Sequence, residues 1–319
     1  MAGMKKPAET LQPRTCYRFG KPMRGGAMET TLKKADCREC YEKQMHELAA
    51  LCQLDDATLG QMLAIKDEVI AGMGGERIRP DRMGELLSRV APLLGTDDPY
   101  RDIKRAYNQL LLDREKDCAD RILTADEPFQ LALRYAVAGN LVDFGGKNSF
   151  TREDVTALID RALEIAFAID DSGVLLDAVR SARSIMYLAD NCGEIVLDKL
   201  LIEQILRENP TVQVTYGVRG GPVINDVTLD DAEQVGMANV ARVLSSGVAT
   251  PTTVLSASTD EFRSAFFDAD LVISKGMGNF EVLVDGCGRE DVYFLLMTKC
   301  PLVADLMDTP LMSFVCKRG

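Results

Sequence analysis

The stretch Ser184-Ile-Met-Tyr-Leu-Ala-Asp190-Asn191-Cys-Gly-Glu194 decides how the chain folds. Its apolar half, Ile185 to Ala189, reads as a buried strand, and its polar half stands where a strand leaves a sheet and a helix begins. Open α/β sheets place their ligands at that edge. Asp190 and Asn191 offer a carboxylate and an amide oxygen side by side, hard donors suited to a divalent cation such as Mg or Mn. A capping box, with Asn191 as N-cap and Glu194 at the third helical position, also accounts for two of these residues. It leaves Asp190 as an acid at the end of an apolar strand with no structural duty.

Outward from this stretch the texture differs on the two sides. On the C-terminal side, short apolar runs at Ser184–Ala189, Val212–Val218, Ala241–Leu244, Leu271–Ser274 and Val292–Met297 alternate with helical stretches at Glu194–Glu208, Leu229–Val235 and Thr259–Phe267. Such alternation implies βαβ units and a mainly parallel sheet. On the N-terminal side apolar residues recur at helical spacing in Tyr41–Cys52, Thr58–Gly72, Pro80–Leu94, Pro99–Lys116, Cys118–Leu123 and Pro128–Ala138, and Asp154–Asp170 reads as one further amphipathic helix. The fold class expected is α/β: a Rossmann-like three-layer α/β/α sandwich preceded by an all-helical domain. Residues 1–29, basic and proline-containing, are expected to form a flexible arm, 30–165 a helical domain covering the active site, and 166–319 the catalytic domain.

Two more strand ends carry polar turns. After Val212–Val218 comes Arg219-Gly-Gly-Pro-Val-Ile-Asn225-Asp226-Val-Thr228, and Thr228 and Asp231 form their own cap, so Asp226 is free for another role. If the two strands are neighbours, Asp190, Asn191 and Asp226 emerge at one edge as an open oxygen-ligand site. After Leu271–Ser274, Lys275 begins a glycine-containing loop, Gly-Met-Gly-Asn279, of a kind that presents backbone N–H groups and a point charge to phosphate.

The 319 residues carry a net charge of −12, which disfavours nucleic-acid and anionic-membrane partners. No apolar run approaches the ~18 residues of a membrane span, and Met1–Arg24 lacks the apolar core of a signal peptide. With nine scattered cysteines in a long chain, thiols in a reducing, cytoplasmic compartment are expected rather than disulfides. Cys37-Arg-Glu-Cys40, with Cys16 upstream and the single histidine, His46, downstream, has the ligand types of a Cys3His zinc site, although His46 also fits the exposed face of a helix.

Taken together, Tyr-Leu-Ala-Asp190-Asn191-Cys-Gly-Glu194, Arg219-Gly-Gly-Pro-Val-Ile-Asn225-Asp226, Leu-Val-Ile-Ser-Lys275-Gly-Met-Gly-Asn279 and Ala138-Gly-Asn140-Leu-Val-Asp-Phe-Gly145 resemble the motifs of the metal-dependent damage-control phosphatases. Lys299-Cys300-Pro301 resembles a tail feature of their prokaryotic branch. The resemblance runs from about residue 30 to the C-terminus. It implies that Asp190, Asn191 and Asp226 bind a divalent metal (Mg, Mn, Co or Ni) and that Asn140 and Lys275 lie in the substrate pocket, with Glu194, Arg219, Asn225 and Asn279 beside them. The implied substrate is a small phosphorylated metabolite. It also brings Cys300 towards Cys37 and Cys40 as a candidate structural zinc ligand.

On this reading Asp190 and Asp226 are catalytic, and water attacks phosphorus directly. The Asp-x-Asp pattern of an aspartyl-phosphate enzyme is absent at this strand end, since Asn191 and Cys192 follow Asp190. Two alternatives remain: an S-adenosylmethionine-dependent carboxyl methyltransferase, and a non-catalytic metal-binding module. Against the first, the turn after the first strand has one glycine, Gly193, where a nucleotide loop needs several.

Overall fold

The computed structural model describes residues 37–73, 82–141, 151–284 and 287–319. The expected arm, Cys16, and the part of the fourth motif after Leu141 lie outside these residues. Helices come first: α1 (Arg38–Leu51), α2 (Asp56–Ala71), α3 (Met83–Val90), α4 (Arg101–Thr124), α5 (Pro128–Ala138) and α6 (Arg152–Glu164). Then follow β1 (Phe167–Asp170), α7 (Ser172–Ser181), β2 (Ser184–Leu188), α8 (Glu194–Glu208), β3 (Gln213–Val218), α9 (Leu229–Gln234) and β4 (Arg242–Ser245). The chain closes with α10 (Asp260–Asp268), β5 (Leu271–Lys275), α11 (Met277–Leu283), β6 (Val292–Met297), α12 (Pro301–Met307) and β7 (Phe314–Arg318).

The seven strands lie in the order β1-β7-β6-β5-β2-β3-β4, parallel except for the β6–β7 pair. Strands buried on both sides carry apolar residues at every position, and their alternation assigns each to a face. Ile185, Tyr187, Leu271, Ile273 and Leu295 enter the core shared with α4 to α8, whereas Met186, Leu188, Val272, Phe294 and Val315 enter a second core with α10, α11 and α12. This makes the three layers.

Chain order reverses between β2 and β5. From β2 the chain proceeds outward through β3 and β4, and it returns to place β5 on the other flank of β2, where Leu188 pairs with Ser274 and also with Gly217. The carboxyl ends of β2, β3 and β5 thus lie side by side at a topological switch point.

Two sequence expectations change. Asp154–Asp170 is not one helix: α6 ends at Glu164, and Phe167–Asp170 is an edge strand whose residues alternate between half-buried and exposed. Pro99–Lys116 and Cys118–Leu123 form the single helix α4, because nothing between them breaks the hydrogen-bond ladder. The helical half contributes to two cores. Tyr41, Met45, Leu48, Met62, Leu86, Val90 and Tyr100 form a small core of their own, while Leu111, Ile122, Phe129, Leu133 and Ile159 of α4 to α6 belong to the core of the sheet.

Candidate functional site

The turns after β2 and β3 are stitched together by backbone. Asn191 and Asp226 form an isolated antiparallel bridge, with Val227 N donating to Asp190 O at 3.0 Å and Cys192 N to Asn225 O at 2.8 Å. Asp190, Asn191, Asn225 and Asp226 are therefore fixed next to one another. The expected capping box at Asn191 is absent. Gly193, at φ +81°, is the N-cap of α8, and Glu194 is its first residue. The sharp left-handed turn turns Glu194 inward, where it is fully buried. The second cap forms as read, with Asp231 Oδ2 accepting from Thr228 N at 2.9 Å and from Thr228 Oγ1 at 2.7 Å.

Helix α4 braces both turns from outside the sheet. Gly193 N donates to Asn108 Oδ1 at 2.6 Å, Asn108 Nδ2 donates to Gln234 Oε1 at 2.9 Å, and the buried Lys104 reaches Asp98 and Asp231 at 2.9 and 3.2 Å.

Asp190 and Asp226 each have one oxygen held, the first by amides and the second by a cation. Asp190 Oδ2 accepts from Asn140 Nδ2 at 2.9 Å and from Asn191 Nδ2 at 2.8 Å, and Asn140 Nδ2 also reaches Glu194 Oε2 at 3.0 Å. Asp226 Oδ2 accepts from Arg219 Nε at 2.6 Å. The rest of the Arg219 guanidinium donates to Thr253 Oγ1, Pro251 O and Asn279 Oδ1, at 3.1, 3.3 and 3.3 Å. Asn279 itself spans the floor, donating to Ala189 O and Lys275 O and accepting from Thr253 N.

The glycine loop expected after Lys275 is the start of α11, with Gly276 as its N-cap, and Lys275 does not face it. Its ammonium lies behind the carboxylates, fully buried, donating to Glu194 Oε1, to Asp198 Oδ1 at 2.7 Å and to Ala136 O at 2.8 Å. Tyr187 and Tyr216, stacked on neighbouring strands, donate their hydroxyls to the two oxygens of Asp198 at 2.7 and 2.9 Å. The sequence reading passed over Asp198. Its signal was there: a second acid four residues after Glu194, hence on the same face of α8.

This network holds four carboxylates, Asp190, Glu194, Asp198 and Asp226, and two cations, Arg219 and Lys275. The imbalance shows in the titration of the acids. Burial, then Glu194 and Asp226, hold the Asp190 carboxyl well above the usual carboxylate range. Burial pushes Asp226 up to about 6 against the opposing pull of Arg219, and Asp198 up to about 6 against that of Lys275. Burial works against the Lys275 charge, but Asp198 and Glu194 outweigh it and raise the ammonium above its ordinary value. Buried acids in excess of cations take up protons or a divalent ion.

Among the described residues no group of three His, Cys, Asp or Glu side chains is arranged to hold a metal, so a cation at the Asp190–Asp226 corner would draw on the amide of Asn191 as well. The cysteines are free thiols among the described residues. Cys37 precedes α1, Cys40 and His46 are exposed on that helix, and Cys300 is the N-cap of α12. Burial, then the nearby Cys300, raise the Cys40 thiol, which puts those two sulfurs in each other's vicinity. No helix among the described residues is long and apolar enough to cross a membrane.

An open, mainly parallel α/β sheet with its acidic and amide groups gathered at the carboxyl ends of β2, β3 and β5 defines an α/β protein with a switch-point site. Comparison with known proteins narrows the class. The damage-control phosphatase ARMT1-like domain matches residues 34–313, and the chain belongs to that family. A damage-control phosphatase of Pyrococcus horikoshii is 32% identical over 285 residues, covering 89% of this chain and 97% of that protein. A damage-control phosphatase of Archaeoglobus fulgidus is 29% identical over 271 residues, covering 84% and 92% of the two chains. The crystal structure of a DUF89 family protein from Pyrococcus horikoshii superposes with a TM-score of 0.79 at 31% identity, covering 88% of this chain and 97% of that one.

Proposed function

We propose that the chain is a metal-dependent phosphatase that hydrolyses small phosphorylated metabolites, with Asp190, Asn191 and Asp226 as the metal ligands. The observation that carries this reading is the bridge joining the turns after β2 and β3, which sets three oxygen-bearing side chains at one corner. The donors suit a hard divalent ion such as Mg, Mn, Co or Ni, and the two-charge excess of buried acid suits one as well. Gly276 adds a cradle: a Cβ there would lie 2.0 Å from Asp190 Oδ2, so only a glycine lets the carboxylate sit where it does.

A divalent ion held there supplies Lewis-acid polarisation of a phosphoryl oxygen and offsets its charge. The residues of the chain do the rest. Asn140 and Asn191 hold Oδ2 of Asp190, and Arg219 holds Oδ2 of Asp226, which leaves the Oδ1 atoms to face ligands. One of these carboxylates orients the attacking water and accepts its proton. The water oxygen forms the new bond to phosphorus, the ester P–O bond breaks, and the alcohol leaves with the proton that the carboxylate took from the water. Asn225, held by Cys192 N donating to its carbonyl, stands beside Asp226 in the same turn. In this arrangement Lys275 and Arg219 act on phosphate through the carboxylates that they hold.

The test is a screen of phosphomonoesters, sugar phosphates included, against Mg2+, Mn2+, Co2+ and Ni2+. Turnover is expected to need the ion, to stop on chelation and to vanish in Asp190→Ala with the fold intact. Undiminished turnover in chelator or in that variant would overturn the reading.

A further inference from the structure

Ile224 stands two residues before Asp226, inside a tight turn closed by Asp226 N donating to Val223 O at 3.0 Å. Its φ is +45°, in the left-handed region that a β-branched residue avoids and glycine enters freely. Turn chemistry alone would place glycine here. What isoleucine adds is its side chain, which packs against the small helical core of Tyr41, Met45, Leu48, Met62, Leu86 and Val90. Three residues on, Val227 is buried in the other core, that of the sheet. The segment carrying Asp226 is thus pinned at one end into the sheet and at the other into α1 to α3.

We propose that Ile224 is a positioning residue that couples the small helical core to the carboxylate of Asp226. The strain at Ile224 persists because packing on its side chain holds the Val223–Asp226 turn in place. The helical core therefore helps to set where the Asp226 oxygen stands, and by reciprocity a cation bound at Asp226 tightens α1 to α3. The inference rests on Asp226 being a metal ligand.

The experiment uses the full chain and Mn2+ alone. Mn2+ affinity is measured by calorimetry, and amide exchange in α1 to α3 is followed with and without the ion, for the wild type, Ile224→Gly and Ile224→Leu. Glycine relaxes the turn and removes the plug; leucine keeps an apolar plug with less strain at positive φ. Glycine is expected to weaken Mn2+ binding about tenfold, the scale on which supporting residues act on metal sites, and to abolish the Mn2+-induced slowing of exchange in α1 to α3. Leucine is expected to keep both. Wild-type Mn2+ affinity in the glycine variant, or no Mn2+ effect on exchange in α1 to α3 of a wild type that binds the ion, overturns the coupling alone. Absence of Mn2+ binding by the wild type overturns the metal assignment and the coupling with it.

Discussion

Arg219 Nε donates to Asp226 Oδ2 across 2.6 Å, with both side chains buried. Further guanidinium N–H groups donate to Thr253, Pro251 and Asn279, so this arginine is a clamp joining the turn after β3, the loop of Pro251 and Thr253, and α11. Arg219→Lys keeps the charge and loses the fork. Its expected effect is on the metal: a Mn2+ affinity about tenfold weaker, as for other groups that orient a ligand, with inhibition by inorganic phosphate at saturating Mn2+ little changed. The reverse pattern, intact Mn2+ affinity with weakened phosphate inhibition, would make Arg219 a direct phosphate ligand.

Lys275 differs in being fully buried, with its ammonium between two acids. Removing its charge in Lys275→Met strands Glu194 and Asp198 in the core, and breaking such a buried pair costs ~3–5 kcal/mol. Urea denaturation should show a loss of that order. Adding Asp198→Asn should restore part of it, because the stranded charge is then removed. A Lys275→Met protein of wild-type stability would mean that the ammonium is held elsewhere than between these acids.

The polar ends of β2, β3 and β5 were legible because each strand is a mostly apolar run stopped by Asp, Arg or Lys, whereas the strand order that reverses at β2 was not. What stayed hidden depends on partners far along the chain. Phe167–Asp170 and Phe314–Arg318 are short flanking strands that become visible only through their mutual pairing, Phe167 with Phe314. The helical spacing of Val155 and Ile159 masked the change to strand period at Phe167. At Asn191 the capping pattern was present but lost to tertiary structure, since its backbone pairs with Asp226 and the cap passes to Gly193. The direction of Lys275 was equally hidden: spacing puts it at a strand end, but only the positions of Asp198, Tyr187 and Tyr216 show that it turns inward.

The buried acids give the metal-free protein a definite pH dependence. Asp226 and Asp198 are pushed up to about 6, and Asp190 upward too, by burial above all, so the folded chain binds more protons than the unfolded one. The stability that Asp226 and Asp198 contribute is full below about pH 4 and is lost as pH rises through about 6, roughly 3 kcal/mol for a group shifted by about two units. A divalent ion replaces the protons. Thermal unfolding in chelator and in Mn2+ should show a larger gain in Tm from the ion at about pH 8 than at about pH 5. Equal gains at the two pH values would separate the cation from these carboxylates.

Gly276 gives the most local test, because both its torsion and its surroundings demand the absence of a side chain. Its φ is +80°, and a Cβ would fall 2.0 Å from Asp190 Oδ2 and 2.7 Å from Oδ1. Neither neighbour can yield cheaply: the backbone is fixed by Gly276 N donating to Leu295 O at 3.0 Å, and the carboxylate by Asn140 and Asn191. Gly276→Ala should therefore expel the Asp190 carboxylate from its seat, costing ~1–3 kcal/mol for the backbone strain. Mn2+ binding should fall below detection, an effect out of proportion to the loss of stability. Gly173→Ala, where a Cβ meets nothing within 4 Å, is the control and should leave Mn2+ affinity unchanged. If Gly276→Ala binds Mn2+ as the control does, Asp190 is not the ligand that its contact with this glycine makes it out to be.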